Sequence, residues 1–386
     1  MQALLYLIAA AALASVASAA PVGEAVSVKS FGAVGDGAAD DIAAIQKAND
    51  SVRHTRGTVY LPVGTYNVTS MDLTNIDHGF ALTGEGPNAT RLMPARDGVV
   101  VLDVTGSRSI KLESFQLGAY NQATTPAVAI LLAQVDGNVS NAVDFERLYI
   151  TGKCSIATLY CCGVPGSTMI DCDFYNYYDG PVPVVAFTHD NYAGVKSAYT
   201  SVFSGDSHTS DWTLVACEIY ELSRPGGKTQ ATALRLDGTT QMRWIGGNVS
   251  GAGPQLVHLS DGPRCTVFYG TTFYSETETL ADAIFYNSDR TECVIVTGCL
   301  PQASKAIFTG VPSTVCDEVD FACKPTAAWF RGLIFDCPEG KLVNSTIRCD
   351  GLGLRVKTIT DTVLINPGKI EAATSDVLTV GGKDSN

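Results

Sequence analysis

Short runs rich in Val, Ile, Thr, Phe and Tyr, separated by Gly, Asp, Asn and Ser, fill most of the chain. Beyond one early segment, no stretch keeps the 3.6-residue apolar period of a helix for long. Short apolar runs bounded by turn-forming residues are typical of β-strands. The pattern therefore predicts a body made of many short strands.

The strand pattern repeats along the chain. Each copy holds a strand, a polar turn, a second strand and a break that contains glycine, as in TALRLDGTTQMRWIGGNVSG from Thr232, QLVHLSDGPRCTVFYGTTFYS from Gln255 and AIFYNSDRTECVIVTGCLPQ from Ala283. Earlier stretches fit more loosely. A repeat of about 24–28 residues without helices indicates a β-solenoid, whose stacked coils pair their strands in parallel and bury one continuous core.

The early stretch SFGAVGDGAADDIAAIQKA is the segment with helical periodicity. Asp40 can serve as the N-cap, Asp41 complements the helix N-terminus, and Ile42, Ile45 and Ala48 share one apolar face. A short amphipathic helix there would cover the open end of a solenoid, after a strand VSVKSF. The alternative interpretation is a metal- or phosphate-binding loop at GDGAADD, and we favour the structural one.

That stretch, GTVYLPVGTYNV from Gly57 and ALTGEGPNATRL from Ala81 closely resemble the N-terminal segment of the pectate-lyase-like superfamily. The resemblance implies an all-β, right-handed parallel β-helix with a short N-terminal capping helix. The superfamily includes polysaccharide lyases, glycoside hydrolases of the polygalacturonase type, epimerases, fructotransferases and phage tailspikes. The resemblance therefore implies the fold more strongly than any one activity. Because some members of the superfamily are trimers, both a monomer and a homotrimer are expected alternatives.

The first residues predict export. Residues 1–19 form an apolar run that ends in Ala17-Ser18-Ala19, the small-residue pattern of a signal-peptide cleavage site. The run is short for a membrane span, and no later segment is apolar enough to be one. We predict a secreted, extracellular protein with a single β-helix domain over residues 20–386, a cap over about 26–92 and coils over about 93–370.

Cysteines and glycosylation sequons agree with export. Twelve cysteines predict disulfides, and the one-coil spacing of Cys293 to Cys316 and of Cys299 to Cys323 makes bonds between neighbouring coils feasible. Cys337 and Cys349 can close a local loop, and the full connectivity stays open. Asn-x-Ser/Thr sequons predict a eukaryotic glycoprotein and occur at Asn49, Asn67, Asn88, Asn138, Asn248 and Asn344.

The net charge is −13 and the pI about 4.8. An acidic surface argues against nucleic acid and anionic membranes as partners. Apolar residues make up 46% of the chain and charged residues 17%, which suits a large buried core. The resemblance to the pectate-lyase-like superfamily implies a polysaccharide as the partner.

Known catalytic signatures are mostly missing from the sequence. It lacks the Asn-Thr-Asp, Gly-His-Gly and Arg-Ile-Lys set of polygalacturonases, and also the dense acidic cluster of the pectate-lyase calcium site. His and Cys residues have no zinc-site spacing. We predict no cofactor and no metal site, and leave a bound cation such as calcium open.

Candidate site residues follow from aligning the repeats, because matching positions of stacked coils form ladders and alternate residues point outwards. The alignment places Arg235, His258 and Phe285 in one outward ladder, with Leu234, Leu236, Val257, Leu259, Ile284 and Tyr286 inward. The next outward ladder contains Asp237, Ser260 and Asn287, followed at the turns by Asp261 and Asp289, with His189 and Asp190 one coil earlier.

This set supports two chemistries. Asp237 and Asp261, one protonated and one ionised, are candidates for acid/base hydrolysis of a glycosidic bond. Alternatively, His258 abstracts the proton next to a uronate carboxylate while Arg235 offsets the developing charge, which gives β-elimination. The structural alternative is that these residues cap turns on a solvated face.

The aromatic loop DFYNYYDG supplies further candidates. Tyr175, Tyr177 and Tyr178 can stack on sugar rings, whereas Phe174 is expected in the core. For Trp212, Trp244 and Trp329, both a sugar-stacking and a core position stay open. The resemblance, together with these candidate residues, implies a secreted enzyme that cleaves a polysaccharide, by hydrolysis or β-elimination, in a groove along the β-helix. The alternatives are a non-catalytic glycan-binding or cell-wall protein, and an epimerase or fructotransferase on the same scaffold.

Overall fold

The computed structural model describes residues 23–77, 79–134, 141–188, 209–221, 232–275, 283–288, 290–302, 306–323 and 332–380. These segments consist mostly of short strands, with one 3-10 helix and one α-helix. Within these ranges, neither helix has the length and apolar character needed to cross a bilayer. The predicted all-β parallel β-helix with a short N-terminal helix is confirmed.

The chain divides into two compact units. Of the described residues, those up to 173 and 211–217 belong to the N-terminal unit, and the others belong to the C-terminal unit. A single domain over residues 20–386 stays a prediction. The two units are described separately below.

The strands of the N-terminal unit, apart from one that follows later in the chain, are β1 (Ala25–Ser27), β2 (Asp36–Asp40), β3 (Thr58–Leu61), β4 (Gly64–Val68), β5 (Met71–Asp72), β6 (Phe80–Gly84), β7 (Thr90–Pro94), β8 (Val100–Asp103), β9 (Arg108–Glu113), β10 (Gln116–Leu117), β11 (Val128–Ala133), β12 (Asn141–Glu146), β13 (Tyr149–Gly152), β14 (Ala157–Cys162) and β15 (Thr168–Ile170).

The remaining strands are β16 (Asp173–Asn176), β17 (Val185–Thr188), β18 (Thr213–Val215), β19 (Glu218–Glu221), β20 (Thr232–Asp237), β21 (Arg243–Ile245), β22 (Asn248–Gly251), β23 (Gln255–Ser260), β24 (Arg264–Tyr269), β25 (Thr272–Ser275), β26 (Ala283–Asn287), β27 (Arg290–Thr297), β28 (Leu300–Gln302), β29 (Ala306–Gly310), β30 (Val315–Asp317), β31 (Asp320–Ala322), β32 (Leu333–Val343), β33 (Thr346–Arg348), β34 (Leu354–Ile365), β35 (Ile370–Glu371) and β36 (Thr374–Val380). Of these, β18 belongs to the N-terminal unit.

Most coils contribute strands to three parallel stacks, whereas the long strands β32 and β34 of the last coils each pair along more than one stack. In the N-terminal unit the stacks run β1-β3-β6-β9-β12-β15-β18, β5-β8-β11-β14 and β2-β4-β7-β10-β13. In the C-terminal unit they run β17-β20-β23-β26-β29-β32, β21-β24-β27 and β19-β22-β25-β28. This arrangement gives most strand positions of one coil a register partner in the next.

The α-helix, α1, spans Ile42–Val52 and lies in the N-terminal unit, with its apolar face buried. Its N-cap is Asp41 rather than the predicted Asp40, although the backbone N–H of Ile42 donates to Asp40 Oδ1 (3.1 Å). The buried Asp41 carboxylate instead accepts from the N–H groups of Val34 (2.6 Å) and Gly35 (3.1 Å). These acidic side chains bind the backbone of their own loop, which supports the structural interpretation.

The strand before this loop is shorter than expected. Strand β1 ends at Ser27, and a 3-10 helix, Val28–Phe31, replaces the rest of the predicted strand VSVKSF. The side chain of Ser27 caps that helix by accepting from the N–H of Lys29, because a serine hydroxyl can satisfy an N–H that has no partner inside the helix. The chain therefore turns toward α1 earlier than the sequence pattern indicates.

A left-handed residue marks the corner where one stack ends and the next begins. In the N-terminal unit this corner is occupied by Asp171 and Ala216, both at φ +53°. In the C-terminal unit it is occupied by Gly246, Gly270 and Gly298, at φ +65° to +67°. A left-handed conformation is unstrained for glycine and tolerated by aspartate, but it costs a residue such as Ala216 roughly 1–2 kcal/mol.

The core of the C-terminal unit contains a column of phenylalanines. Phe285, Phe308 and Phe335 occupy the same register position in three successive coils, and all are buried. Their ring centroids are 4.9 and 4.6 Å apart, with interplanar angles of 17° and 8°. Near-parallel rings at this spacing match the separation of neighbouring strands, so the stack follows from the register.

Two tryptophans are core residues and not surface platforms. In the N-terminal unit, Trp212 is fully buried, stacks on Phe145 at 6.2 Å, and its Nε1 donates to the carbonyl of Val164 (2.7 Å). In the C-terminal unit, Trp244 is 3% exposed and stacks on Phe268 at 6.1 Å. Neither ring is available to a sugar. Trp329 lies outside the described residues.

Candidate functional site

A polar column runs along the β20-β23-β26 stack of the C-terminal unit. Arg235 is the register partner of His258, and His258 is the partner of Tyr286. The predicted neighbourhood of Arg235 and His258 is thus present. The same register extends the column through Thr309 to Asp336, so it forms an accessible strip along one face of the stack.

The predicted register of the third coil was wrong by one residue. Phe285 pairs with Val257 and points into the core, where it is 1% exposed, so Tyr286 takes the outward position expected for Phe285. Asn287 pairs with Leu259 and is also buried, and its Nδ2 lies 3.1 Å from Thr291 Oγ1. A slip of one residue moves every side chain of a strand to the other face.

Asp237 is held by its neighbours at the end of β20. The residue is 1% exposed, forms an ion pair with Arg235 and accepts a hydrogen bond from the hydroxyl of Ser260. The Arg235 side chain keeps 41% of its surface exposed. The guanidinium therefore rests on a buried carboxylate on one side and faces solvent on the other, where it can bind an anion bidentately.

His258 lies half-buried between Arg235 and Tyr286. Its Nε2 is 3.1 Å from the hydroxyl oxygen of Ser288, and its ring meets the Tyr286 ring edge-on at 5.2 Å and 71°. Burial, followed by the positive charge of Arg235, lowers the pKa of His258 to about 4. The imidazole is therefore neutral at neutral pH and able to accept a proton.

The predicted carboxylate pair is not equally accessible. Asp261 lies in the exposed turn after β23, with a left-handed backbone at φ +57°. Asp237 is instead closed off by Arg235 and Ser260. Acid/base hydrolysis needs two carboxyl groups that both reach the sugar or its water, and the burial of Asp237 disfavours that arrangement. His189, Asp190 and Asp289 lie outside the described residues.

The tyrosine candidates belong to a different stack. Tyr175, in β16, is half-buried; its ring lies 5.6 Å from that of Tyr220, and its hydroxyl is 3.3 Å from Glu218 Oε2. Tyr177 and Tyr178 follow in the turn. Since β16 and β19 belong to the second hydrogen-bonded sheet, these tyrosines do not share the strip that carries His258. Phe174 is in the core, as expected.

The sequons differ in accessibility. Asn49 is fully buried in α1, which leaves no room for an attached glycan in the folded protein. Asn88 and Asn344 are exposed, Asn67 and Asn248 are half-buried, and Asn138 lies outside the described residues. Glycosylation at the five other sites stays a prediction.

The structure adds three polar residues that the sequence did not identify. Tyr286 and Ser288 contact His258, and a correct register for β26, set by the phenylalanine column, would have found both. Glu221 is buried, and burial raises its pKa. Its Oε2 accepts from the N–H groups of Ala252 (2.9 Å) and Gly253 (3.0 Å), which identifies a structural anchor of the next coil.

Comparison with protein families supports the resemblance drawn from the sequence. Residues 25–129 match the family described as "Rhamnogalacturonase A/epimerase, pectate lyase-like". The match covers the capping segment and the first coils and stops before β20, so it assigns no role to Arg235 or His258. The predicted resemblance to the pectate-lyase-like superfamily is confirmed.

Short stretches are similar to curated enzymes. Mannuronan C5-epimerase AlgE3 from Azotobacter vinelandii is 60% identical over 43 residues, and AlgE1 from the same organism is 58% identical over 43 residues. Each match covers 11% of this chain but only 2% and 3% of the epimerases, so the chain spans a small part of the length of these relatives.

Solved structures with a similar chain path include three of different kinds. The AlgE4 A-module from Azotobacter vinelandii has a TM-score of 0.48 at 15% identity, covering 92% of this chain and 96% of its own. The bacteriophage phi29 gene product 12 has a TM-score of 0.49 at 15% identity, covering 97% of this chain and 57% of its own. The Streptococcus pneumoniae adhesin PfbA has a TM-score of 0.47 at 15% identity, covering 93% of this chain and 98% of its own.

Proposed function

We propose that this protein is a polysaccharide-modifying enzyme that removes the proton next to the carboxylate of a uronate sugar. The observation that carries the proposal is the pairing of a neutral, half-buried His258 with a solvent-facing Arg235 on adjacent coils. The similarity of short stretches to mannuronan C5-epimerases supports the substrate class, since mannuronan is a polyuronate.

Arg235 has the chemistry to hold the substrate carboxylate. Removal of the C5 proton places negative charge on that carboxylate, and a guanidinium stabilises this charge more than it stabilises the ground state. Asp237 pairs with the guanidinium from behind and is itself held by a hydrogen bond from the Ser260 hydroxyl, so the guanidinium donors are oriented before substrate arrives. Preorganised donors cost no rearrangement when the charge develops.

His258 is the proposed base. It is neutral, and Ser288 and Tyr286 fix its ring. A base with a pKa near 4 is weak; burial is the larger cause of this low pKa and the charge of Arg235 the smaller one, and the substrate carboxylate would offset the charge of Arg235. The base would therefore become stronger when substrate is bound.

The fate of the carbanion decides between two outcomes. Loss of the 4-O-glycosidic bond gives an unsaturated sugar and a cleaved chain, whereas return of a proton on the opposite face inverts C5 and leaves the chain intact. The second outcome is the epimerase alternative, and the names of the curated relatives favour it. Hydrolysis by Asp237 and Asp261 is disfavoured because Asp237 is buried.

The test is one incubation with three readouts. Purified protein is mixed with polymannuronate or polygalacturonate in D₂O, and we follow deuterium entering C5 by NMR, ultraviolet absorbance from unsaturated ends, and new reducing ends. Deuterium at C5 without absorbance indicates epimerisation. Absorbance indicates elimination, whether or not deuterium appears, because C5 of the unsaturated product carries no hydrogen. Reducing ends alone would establish hydrolysis and contradict the proposal, and retention on the polymer without any signal would identify a binding protein.

Variants assign the residues. We expect His258→Ala to lower the exchange rate about 10²–10⁴-fold, the usual contribution of a general base, and Arg235→Ala to lower it as well. Arg355→Ala is the matched control, because Arg355 is the register partner of Asp336 in the same column and pairs with it. Full activity of His258→Ala would remove it from the mechanism.

A further inference from the structure

Six of the twelve cysteines meet in pairs across neighbouring coils. Cys265 and Cys293 occupy matching positions of the parallel strands β24 and β27, between the register pairs Arg264–Glu292 and Thr266–Val294. Both residues have left-handed backbones, at φ +53° and +54°, so their side chains leave the strands in the same direction. Their thiols are in hydrogen-bond contact.

A second pair follows the same rule in the N-terminal unit. Strand β15 pairs with β18 through Ile170 and Val215, so Cys172 and Cys217 are opposite each other two residues further on. Each thiol lies against the carbonyl two residues before it, at 3.3 and 3.5 Å. The two thiols also contact each other.

The third pair, Cys299 and Cys323, lies just past β27 and β31 in the C-terminal unit. Strand β27 pairs with β31 up to Thr297 and Ala322. Cys323 follows Ala322 directly and Cys299 comes two residues after Thr297, so the two buried cysteines are one position apart in register. Their thiols are in hydrogen-bond contact. The sequence alone made this pair feasible, but the same reasoning joined Cys293 to Cys316. The structure instead places Cys316 opposite Thr291.

We propose that the protein carries three disulfides between successive coils, Cys172–Cys217, Cys265–Cys293 and Cys299–Cys323. Neighbouring parallel strands are about 4.7–4.9 Å apart, inside the Cα separation of about 4.4–6.8 Å that a disulfide bridges. Each pair links one coil to the next, so the bonds tie the solenoid together along its axis.

Each bond forms when two thiols lose two protons and two electrons. A small-molecule disulfide such as oxidised glutathione takes up both electrons and both protons and becomes two reduced thiols. A thiolate of the pair attacks this oxidant to give a mixed disulfide, and the partner thiolate then displaces the reduced glutathione. Cys265 is exposed and accessible to this exchange.

The other six cysteines are proposed to remain thiols. Cys154, Cys161, Cys162, Cys316, Cys337 and Cys349 are all buried. Burial raises the pKa of Cys154 to about 12 and, with the charge of Asp350, that of Cys349 to about 12. Burial raises the thiol pKa of Cys172 and Cys293 as well, so what distinguishes the three pairs is the contact that brings their two sulfurs together. Cys349 is a competing partner for Cys323, because the register of β31 and β33 places the two opposite each other.

Mass spectrometry tests the pairing. The full chain is equilibrated with reduced and oxidised glutathione, denatured without reductant in N-ethylmaleimide, and analysed intact and after digestion. We expect six alkylated cysteines, six hydrogens lost, and the three named cross-linked peptides. Twelve alkylated cysteines, or cross-links that join other partners such as Cys323 with Cys349, would overturn the assignment.

Single variants provide a second measurement. Cys265→Ser removes an exposed thiol, so the protein should fold, and it should gain one alkylated residue, Cys293, while the two other cross-links remain. Cys154→Ser is the control and should leave all three cross-links in place. A Cys265→Ser protein in which Cys293 stays unreactive would show that Cys293 has another partner, contrary to the proposal.

Discussion

Burial and the Arg235 guanidinium lower the pKa of His258 from 6.5 to about 4 in the folded protein. Above pH 6.5 the ring is neutral in both the folded and the unfolded chain. Below that pH, His258 is protonated in the unfolded chain but stays neutral in the folded protein until about pH 4, so the unfolded state is stabilised. The same features that prepare His258 as a base therefore make the fold sensitive to acid.

We expect His258 to account for a loss of about 1–2 kcal/mol of unfolding free energy between pH 6.5 and pH 4, a range that allows for solvent at a half-buried ring. His258→Gln, which cannot titrate there, should lose less stability over this interval. Urea unfolding of both proteins at pH 7.0 and 4.5 measures the difference. Carboxylates titrate in the same way in both proteins, so their contribution cancels in this comparison. An identical loss in the two proteins would show that the folded pKa of His258 is near its ordinary value.

At the scale of strands and coils, the register decides which residues reach the surface. The repeat and its parallel pairing were readable from the sequence, since Thr232, Gln255 and Ala283 start successive strands as the aligned stretches indicated. The sequence did not reveal which of Phe285 and Tyr286 points into the core. Three consecutive apolar residues, Ile284, Phe285 and Tyr286, give no alternation, and the structure buries Phe285 against Phe268, Phe273 and Phe308 while Tyr286 faces outward.

The burial of Asp237 and the contacts of His258 also escaped the sequence, for a related reason. From the sequence, the carboxylate of Asp237 in an Asp-Gly turn is expected to be exposed to solvent. In the folded coil, Arg235 and Ser260 cover it. Ser288 reaches His258 from a coil 30 residues further along the chain. Such contacts depend on the coil length between strands, which varies from one coil to the next.

Phe308 is the centre of the phenylalanine column, so its loss opens a cavity between two rings. We expect Phe308→Ala to lower the unfolding free energy by about 3–5 kcal/mol, because the rigid coils on either side cannot collapse into the space. Tyr274→Ala, at a position that is 41% exposed in the same unit, should change it by less than about 0.5 kcal/mol. Denaturant unfolding checks both, and equal small effects would indicate a column that repacks freely.

At the scale of the whole molecule, the net charge of −13 opposes the binding of a polyuronate. Long-range repulsion is screened by salt, since the Debye length falls from about 30 Å at 0.01 M to about 8 Å at 0.15 M. The contact between Arg235 and a single carboxylate is weakened by salt as well. For a long polymer, repulsion from the whole surface should outweigh the loss at this one contact.

We therefore expect KM for a long polyuronate to fall several-fold when NaCl is raised from 0.01 to 0.15 M. A short uronate oligomer, which meets less of the acidic surface, should show a smaller change. Initial rates of C5 deuterium exchange give both values. A KM that rises with salt for the long polymer would show that local basic contacts dominate over the net charge.

The tryptophans of the core give each compact unit its own fluorophore. Trp212 is buried in the N-terminal unit and Trp244 in the C-terminal unit. The fluorescence emission of each indole shifts to longer wavelength when unfolding exposes it to water. With Trp329 and one of the two replaced by phenylalanine, the remaining indole reports the melting of a single unit. Optical spectroscopy can then establish whether the solenoid unravels as one body or from one end.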